Sequence, residues 1–260
     1  QVLISSNRSA TTSDGVSQAQ ETARFVMSFL GNHIRDSGLD SIDDDDVNTR
    51  AVIGCDIAAL NAIGACAFEN NIGATEANIS ITAADVAAGG SVALSGDRLA
   101  LAWIPPAGVT TDCTGTTIAG FAANMVIVNV FWVSLDPAAN SNSLICQGTL
   151  FDGNNVIGSS VPQAIANGVE AFQVLYGEAT SALPIDRERN VSHYVNANEV
   201  TDWERVFAVK IAIMTRSIND VTNLISRKQY TMLDAGLYNL NDAVNYQVFT
   251  STFAISNFQD

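Results

Sequence analysis

The sequence is short of the residues on which most functions depend. Two lysines, Lys210 and Lys228, and ten scattered arginines stand against 27 acidic residues in a chain of 260, for a formal net charge of −15. No basic stripe is available to neutralise phosphates, which excludes nucleic acid as an expected partner. The same shortage argues against docking on anionic lipid head groups. No run approaches the roughly 20 apolar residues of a membrane helix, and no signal peptide is visible. The expectation is either a soluble protein or one whose membrane segment has been cut off.

Chemistry-bearing residues are equally sparse. The two histidines are His33, expected on a helix surface or at an interface, and His193, in "NVSHYVN", which has no metal-ligand spacing. The chain has no G-x-S-x-G elbow, no Walker loop, no G-x-G-x-x-G after a strand and no H-E-x-x-H. No enzyme and no cofactor are expected. The acidic run Asp43 to Asp46 invites a calcium reading, but from Asp44 an EF-hand loop would need glycine where Thr49 stands and glutamate where Cys55 stands. A solvated acidic loop is the simpler reading, with a calcium site of another kind left open.

The four cysteines, Cys55, Cys66, Cys113 and Cys146, include no C-x-x-C pair, which disfavours a zinc ribbon or a thioredoxin-type site. Three pairings are open. Joining neighbours, Cys55 with Cys66 and Cys113 with Cys146, would close loops worth about 3 and about 4 kcal/mol on the chain-entropy model. The alternative is four free thiols in a cytosolic protein, and an envelope or extracellular location is preferred.

What the chain does have is apolar pattern. It is 47% hydrophobic and only 15% charged, enough to bury one substantial core in a single domain. Val16, Ala19, Ala23, Val26 and Leu30 recur at helical spacing, widened by Phe25, Phe29 and Ile34, which predicts a helix over about 14–37 capped by Ser13 or Asp14 and ended by Gly38. Residues 38–78 read as an acidic loop followed by a cysteine-stapled segment. Over 79–260 the pattern turns to alternation and β-branched runs: "ISITA", "SVALS", "DRLALAWIP", "NMVIVNVFWVSL", "SLICQGTLF", "GVEAFQVLYGE", "RVFAVKIAIMTRS" and "NYQVFTSTFAIS". One helix followed by strands predicts an α+β domain, with the helix laid on a meandering antiparallel sheet. The polar segment at about 218–245 reads as an inserted loop and a candidate partner surface.

Several stretches resemble, in order, the PilW-type minor pilins of type IV pili. "LISSNRSATTSDGVSQAQETARFVMSFLGNHIRDSGL" is similar to the family's helix-to-loop passage, "DRLALAWIPPAGVTTDCTG" to its strand and Thr-Asp-Cys turn, and "SLICQG" to its second cysteine strand. "NGVEAFQVLYG", "WERVFAVKIAIMTRS" and "YQVFTSTFAISN" resemble the later strands. The resemblance implies a pilin-like fold and a structural subunit of a tip or priming complex, which starts filament assembly and presents an adhesin-like partner. It implies contacts with other minor pilins, the major pilin and a PilY-type adhesin. It also implies attachment to the inner membrane through an apolar helix half missing here, of which Val2 to Ile4 would be the remnant, with later passage through the periplasm to the extracellular pilus tip. Phe25, Phe29 and Arg35, together with exposed sheet edges, are then candidate assembly contacts, although Phe25 and Phe29 could equally be core residues. Two other readings remain: a type II secretion pseudopilin of the GspJ type, and a periplasmic binding domain with Trp103, Trp132 and Trp203 lining a groove.

Overall fold

A computed structural model describes residues 2–38, 52–54, 96–106, 108–122, 125–136, 141–152, 155–180, 190–197, 199–202, 205–217, 226–235 and 237–255. Among them a single helix, α1 (Val2–Asp36), precedes twelve strands. These are β1 (Val52–Gly54), β2 (Leu99–Trp103), β3 (Val126–Asp136), β4 (Ser141–Asp152), β5 (Asn155–Ser159), β6 (Gln163–Asn167), β7 (Val169–Glu178), β8 (His193–Val195), β9 (Val206–Arg216), β10 (Ser226–Tyr230), β11 (Tyr238–Asp242) and β12 (Tyr246–Ala254). All strand pairs are antiparallel. The class is α+β.

The apolar seam of the helix sets the core. Ala19, Ala23, Val26, Leu30 and Ile34 are all buried, because positions three and four apart fall on one helical face. Ala23, Val26, Leu30 and Ile34 pack with Leu99, Leu101, Phe131 and Leu144 of one sheet and with Phe172, Val174, Val209, Ile211 and Ile213 of another. Each such large side chain taken out of water contributes about 1.5–3 kcal/mol. A polar contact fixes the upper end of the seam: Thr215 Oγ1, buried, donates to the Ala19 carbonyl at 3.1 Å. At the lower end the Ser37 hydroxyl donates to the Ile34 carbonyl at 2.6 Å, and Gly38 turns the chain away with φ of 74°.

The strands form two main sheets where the sequence predicts one. The first runs β1-β2-β3-β4-β5 with β6 also on β4; the second runs β12-β9-β7-β8. The chain crosses between them at Gly168, whose φ of 76° is the left-handed conformation that glycine adopts without penalty. Its N–H donates to Asn142 of the first sheet and its carbonyl accepts from Arg216 of the second, both at 2.9 Å. Alternation shows that a segment is a strand but carries no information about which sheet it joins.

Two more expectations need correction. The helix starts at Val2, not near residue 14, so Ser13 and Asp14 lie within it and do not cap it. The stretch "SSNRSATTSD" has no periodic apolar marker, but no proline interrupts it either, and backbone hydrogen bonds alone carry a helix through polar sequence. The insertion at 218–245 contains a hairpin, β10 with β11, seated on the outer face of the second sheet. Met232, Tyr238, Leu240 and Val244 pack there against Ala171, Ala212, Met214 and Tyr246. Exposed Arg227, Gln229 and Asn241 give the segment its loop-like composition. The expected strands "ISITA" and "SVALS" lie outside the described residues, as do Cys55, Cys66, Trp203 and the acidic run 43–46.

Candidate assembly interface

The helix carries an aromatic stripe at four-residue spacing beside its buried seam. Phe25 stacks on Phe29 with ring centroids 5.9 Å apart, Phe29 meets His33 edge-on at 4.7 Å, and both Phe29 and His33 lie against Phe131 of β3, at 6.0 and 5.4 Å. The stripe runs from solvent into the core: Phe25 is 51% exposed, Phe29 is partly buried against the main cluster, and Phe131 is fully buried. Burial lowers the pKa of the His33 imidazole, although Asp36 and Asp112 pull the other way. Arg35 is exposed in the last helical turn and donates to Asn32 Oδ1, where its charge suits the negative helix end.

Below the helix a short turn is fastened to the first sheet. A disulfide joins Cys113 to Cys146 of β4, with a Cα–Cα distance of 6.4 Å. The neighbouring Asp112 organises the turn: its Oδ1 accepts from the Thr114 N–H at 2.9 Å, the Thr114 hydroxyl at 2.6 Å and the Thr116 N–H at 3.1 Å. Its Oδ2 accepts from the Gly148 N–H at 3.2 Å. Burial pushes this carboxyl up, but bonds from Ser160, Thr114 and Thr116 outweigh it and hold the pKa below the usual value. Glycine is required at 148 because a Cβ there would lie 2.2 Å from Asp112 Cβ. This use of Asp112 was missed in the sequence, yet the D-x-T-x-T spacing is a side-chain-to-backbone turn signature that could have shown it.

Two further buried carboxylates went unforeseen. Glu170, on the bulge of β7, faces Arg216 at 3.4 Å; burial raises it to about 7 despite the arginine. Glu178 is fully buried and accepts from the Thr201 and Asp202 N–H groups at 3.0 and 2.7 Å and from the Thr201 hydroxyl, with His193 Nε2 3.5 Å away. These contacts hold the 199–202 turn against the end of β7.

The structure brings Phe25 and Phe29 together with His33 on one stripe and places Arg35 elsewhere on the helix surface. It does not unite the tryptophans. Trp103 packs with Ile118, Ile127 and Leu150, whereas Trp132 packs with Ala100, Val128 and Val130, and the strand register puts these sets on opposite faces of the first sheet. One groove cannot hold both. Among the described residues no group of three or more His, Cys, Asp or Glu is placed to hold a metal ion, and no helix is long and apolar enough to cross a membrane.

Residues 130–257, from within β3 to just past β12, match the family model for Type IV Pilus-assembly protein W. No curated protein and no solved structure matches the chain.

Proposed function

Because residues 130–257 match the family model for Type IV Pilus-assembly protein W, we propose that the chain is a PilW-type pilus protein that serves as a minor pilin, a structural subunit of a tip or priming complex that starts filament assembly and presents an adhesin-like partner. The family match carries the reading, and the fold supports it. A pilin-like arrangement needs a long helix whose far part seats on a sheet-rich head, and here the helical backbone continues 17 residues ahead of the first described buried position, Ala19. That is roughly 25 Å of helix at 1.5 Å per residue. The role is non-enzymatic and calls for no cofactor.

Association with the cell envelope follows from the family. The finer itinerary belongs to this proposal: inner membrane before assembly, then periplasm and extracellular pilus tip, with other minor pilins, the major pilin and a PilY-type adhesin as neighbours. Phe25 is the residue assigned to a neighbour's surface, since it is half-exposed and stacked on a ring anchored in the core.

The test is genetic and chemical. Deleting the gene should abolish or strongly reduce surface pili, and N-terminal sequencing of the native protein should reveal a cleaved leader ahead of an apolar run with one early acidic residue. Phe25→Ser should leave thermal stability within about 0.5 kcal/mol of wild type while lowering pilus number several-fold. Normal pili in the deletion strain would overturn the proposal, and a secretion defect without a pilus defect would move the chain to a type II secretion pseudopilus.

A further inference from the structure

Sheet edges expose unpaired backbone groups, and proteins normally blunt them with short strands, bulges, proline or charge. Three edges here follow that rule. β1 and β8 are three residues each, and the flank of β4 is covered by two short strands, β5 and β6, separated by a break at Ser160, Val161 and Pro162. β12 does not follow it. Its nine residues, "YQVFTSTFA", contain no charge and no proline, pair with β9 in unbroken register, and on their other side meet no strand among the described residues.

The helix beside this edge carries two arginines on the near side, interspersed with Glu21 and Asp36. A Cβ on Gly31 would lie 2.6 Å from the Phe253 ring, so the Gly31 side of α1 is turned to β12. Arg24, seven residues earlier, and Arg35, four later, project on that same side, and both are exposed. In a chain of net charge −15, this edge, unpaired among the described residues, thus has two arginines on the near side of the helix. Gln247, Phe249, Ser251 and Phe253 share the face of Ile213, Ile211 and Val209 that carries the helix, while Thr250, Thr252 and Ala254 are exposed on the other face.

We propose that the outer edge of β12, unpaired among the described residues, takes up, by strand addition, an extended segment of a partner subunit with acidic side chains at the alternate positions facing α1. This deepens the pilus reading and rests on it only in taking the donor to be another pilus component. Backbone pairing supplies the affinity and the arginines select the partner. A second copy of the chain is the wrong occupant: edge-to-edge pairing of two β12 strands would set the two helices side by side on one face of the joined sheet, with Arg24 and Arg35 of each confronting the other's.

The full chain is titrated, by fluorescence anisotropy, with a capped nine-residue peptide alternating Glu with Thr or Val and with its Lys-for-Glu counterpart. Bulk charge favours the basic peptide; the proposal requires the acidic one to bind at least tenfold more tightly, with slowed hydrogen exchange in β12. Arg24→Glu together with Arg35→Glu should reverse the preference, and N-methylating alternate peptide residues should abolish binding. Equal or reversed preference in the wild-type chain, undiminished binding of the N-methylated peptide, or concentration-dependent dimerisation that protects β12 would each overturn the proposal. The deletion strain tests the pilus reading separately: intact pili there, with acidic-peptide selectivity retained, would remove the pilus role and leave the edge.

Discussion

Asp112 and Glu170 are both buried acids, and the molecule treats them oppositely. Asp112 collects N–H and O–H donors from its own turn and from β4 and is held more acidic than usual. Glu170 has a full positive charge beside it, yet burial carries it to about 7. The lesson concerns geometry rather than charge. Donors aimed at both oxygens replace lost water bond for bond at Asp112, whereas at Glu170 the loss of water outweighs what Arg216 at 3.4 Å and Asn142 return, and Oε1 keeps no well-aligned donor.

The comparison can be broken most forcefully by freeing the turn that holds Asp112. Cys113→Ser with Cys146→Ser, reopening a 33-residue separation, should cost about 4 kcal/mol in denaturant unfolding. Asp112→Ala should cost about 3 kcal/mol near neutral pH, because several buried donors lose their acceptor together. Glu170→Gln should act through pH. A carboxyl whose folded pKa is raised keeps its proton in the folded state while the unfolded chain has lost it, so wild-type stability falls between about 4.5 and about 7. The variant should flatten that fall, by up to about 3 kcal/mol. Asp112→Asn sharpens the other limb. A carboxyl with depressed folded pKa stabilises above its unfolded value and loses that contribution as pH drops through the folded one, so the variant should show a shallower acid transition, the smallest of the four effects. Thermal melts from pH 3 to 8 read both limbs; parallel curves for wild type and both variants would refute the contrast.

How much of this was legible in the sequence depends on what a local pattern can encode. The seam Ala19–Ala23–Val26–Leu30–Ile34 was readable because burial has a helical period, and β3, β7 and β9 because β-branched runs mark strands. The first dozen helical residues were not, since polar sequence has no such period. The split into two sheets turns on the single left-handed residue Gly168, which looks like any other turn glycine. The hairpin of residues 226–242 was hidden because polar Arg227, Gln229 and Asn241 alternate with its inward apolar positions. Of the candidate contacts, Phe25 and Phe29 could be placed on the helix, but the partial burial of Phe29 depends on Phe131, about a hundred residues away. Asp112 had a local signature; Glu170 and Arg216 meet only through the β7–β9 register.

The disulfide also has a meaning in length. Cys113 and Cys146 bracket the whole of β3, so 33 residues, some 110 Å of extended chain at about 3.3–3.6 Å each, cannot be paid out when the two ends of the protein are pulled apart. A head loaded in tension can peel its outer strands, but the middle strand of its first sheet stays inside a covalent ring. Extension of the chain stops short by that distance until the bond is reduced.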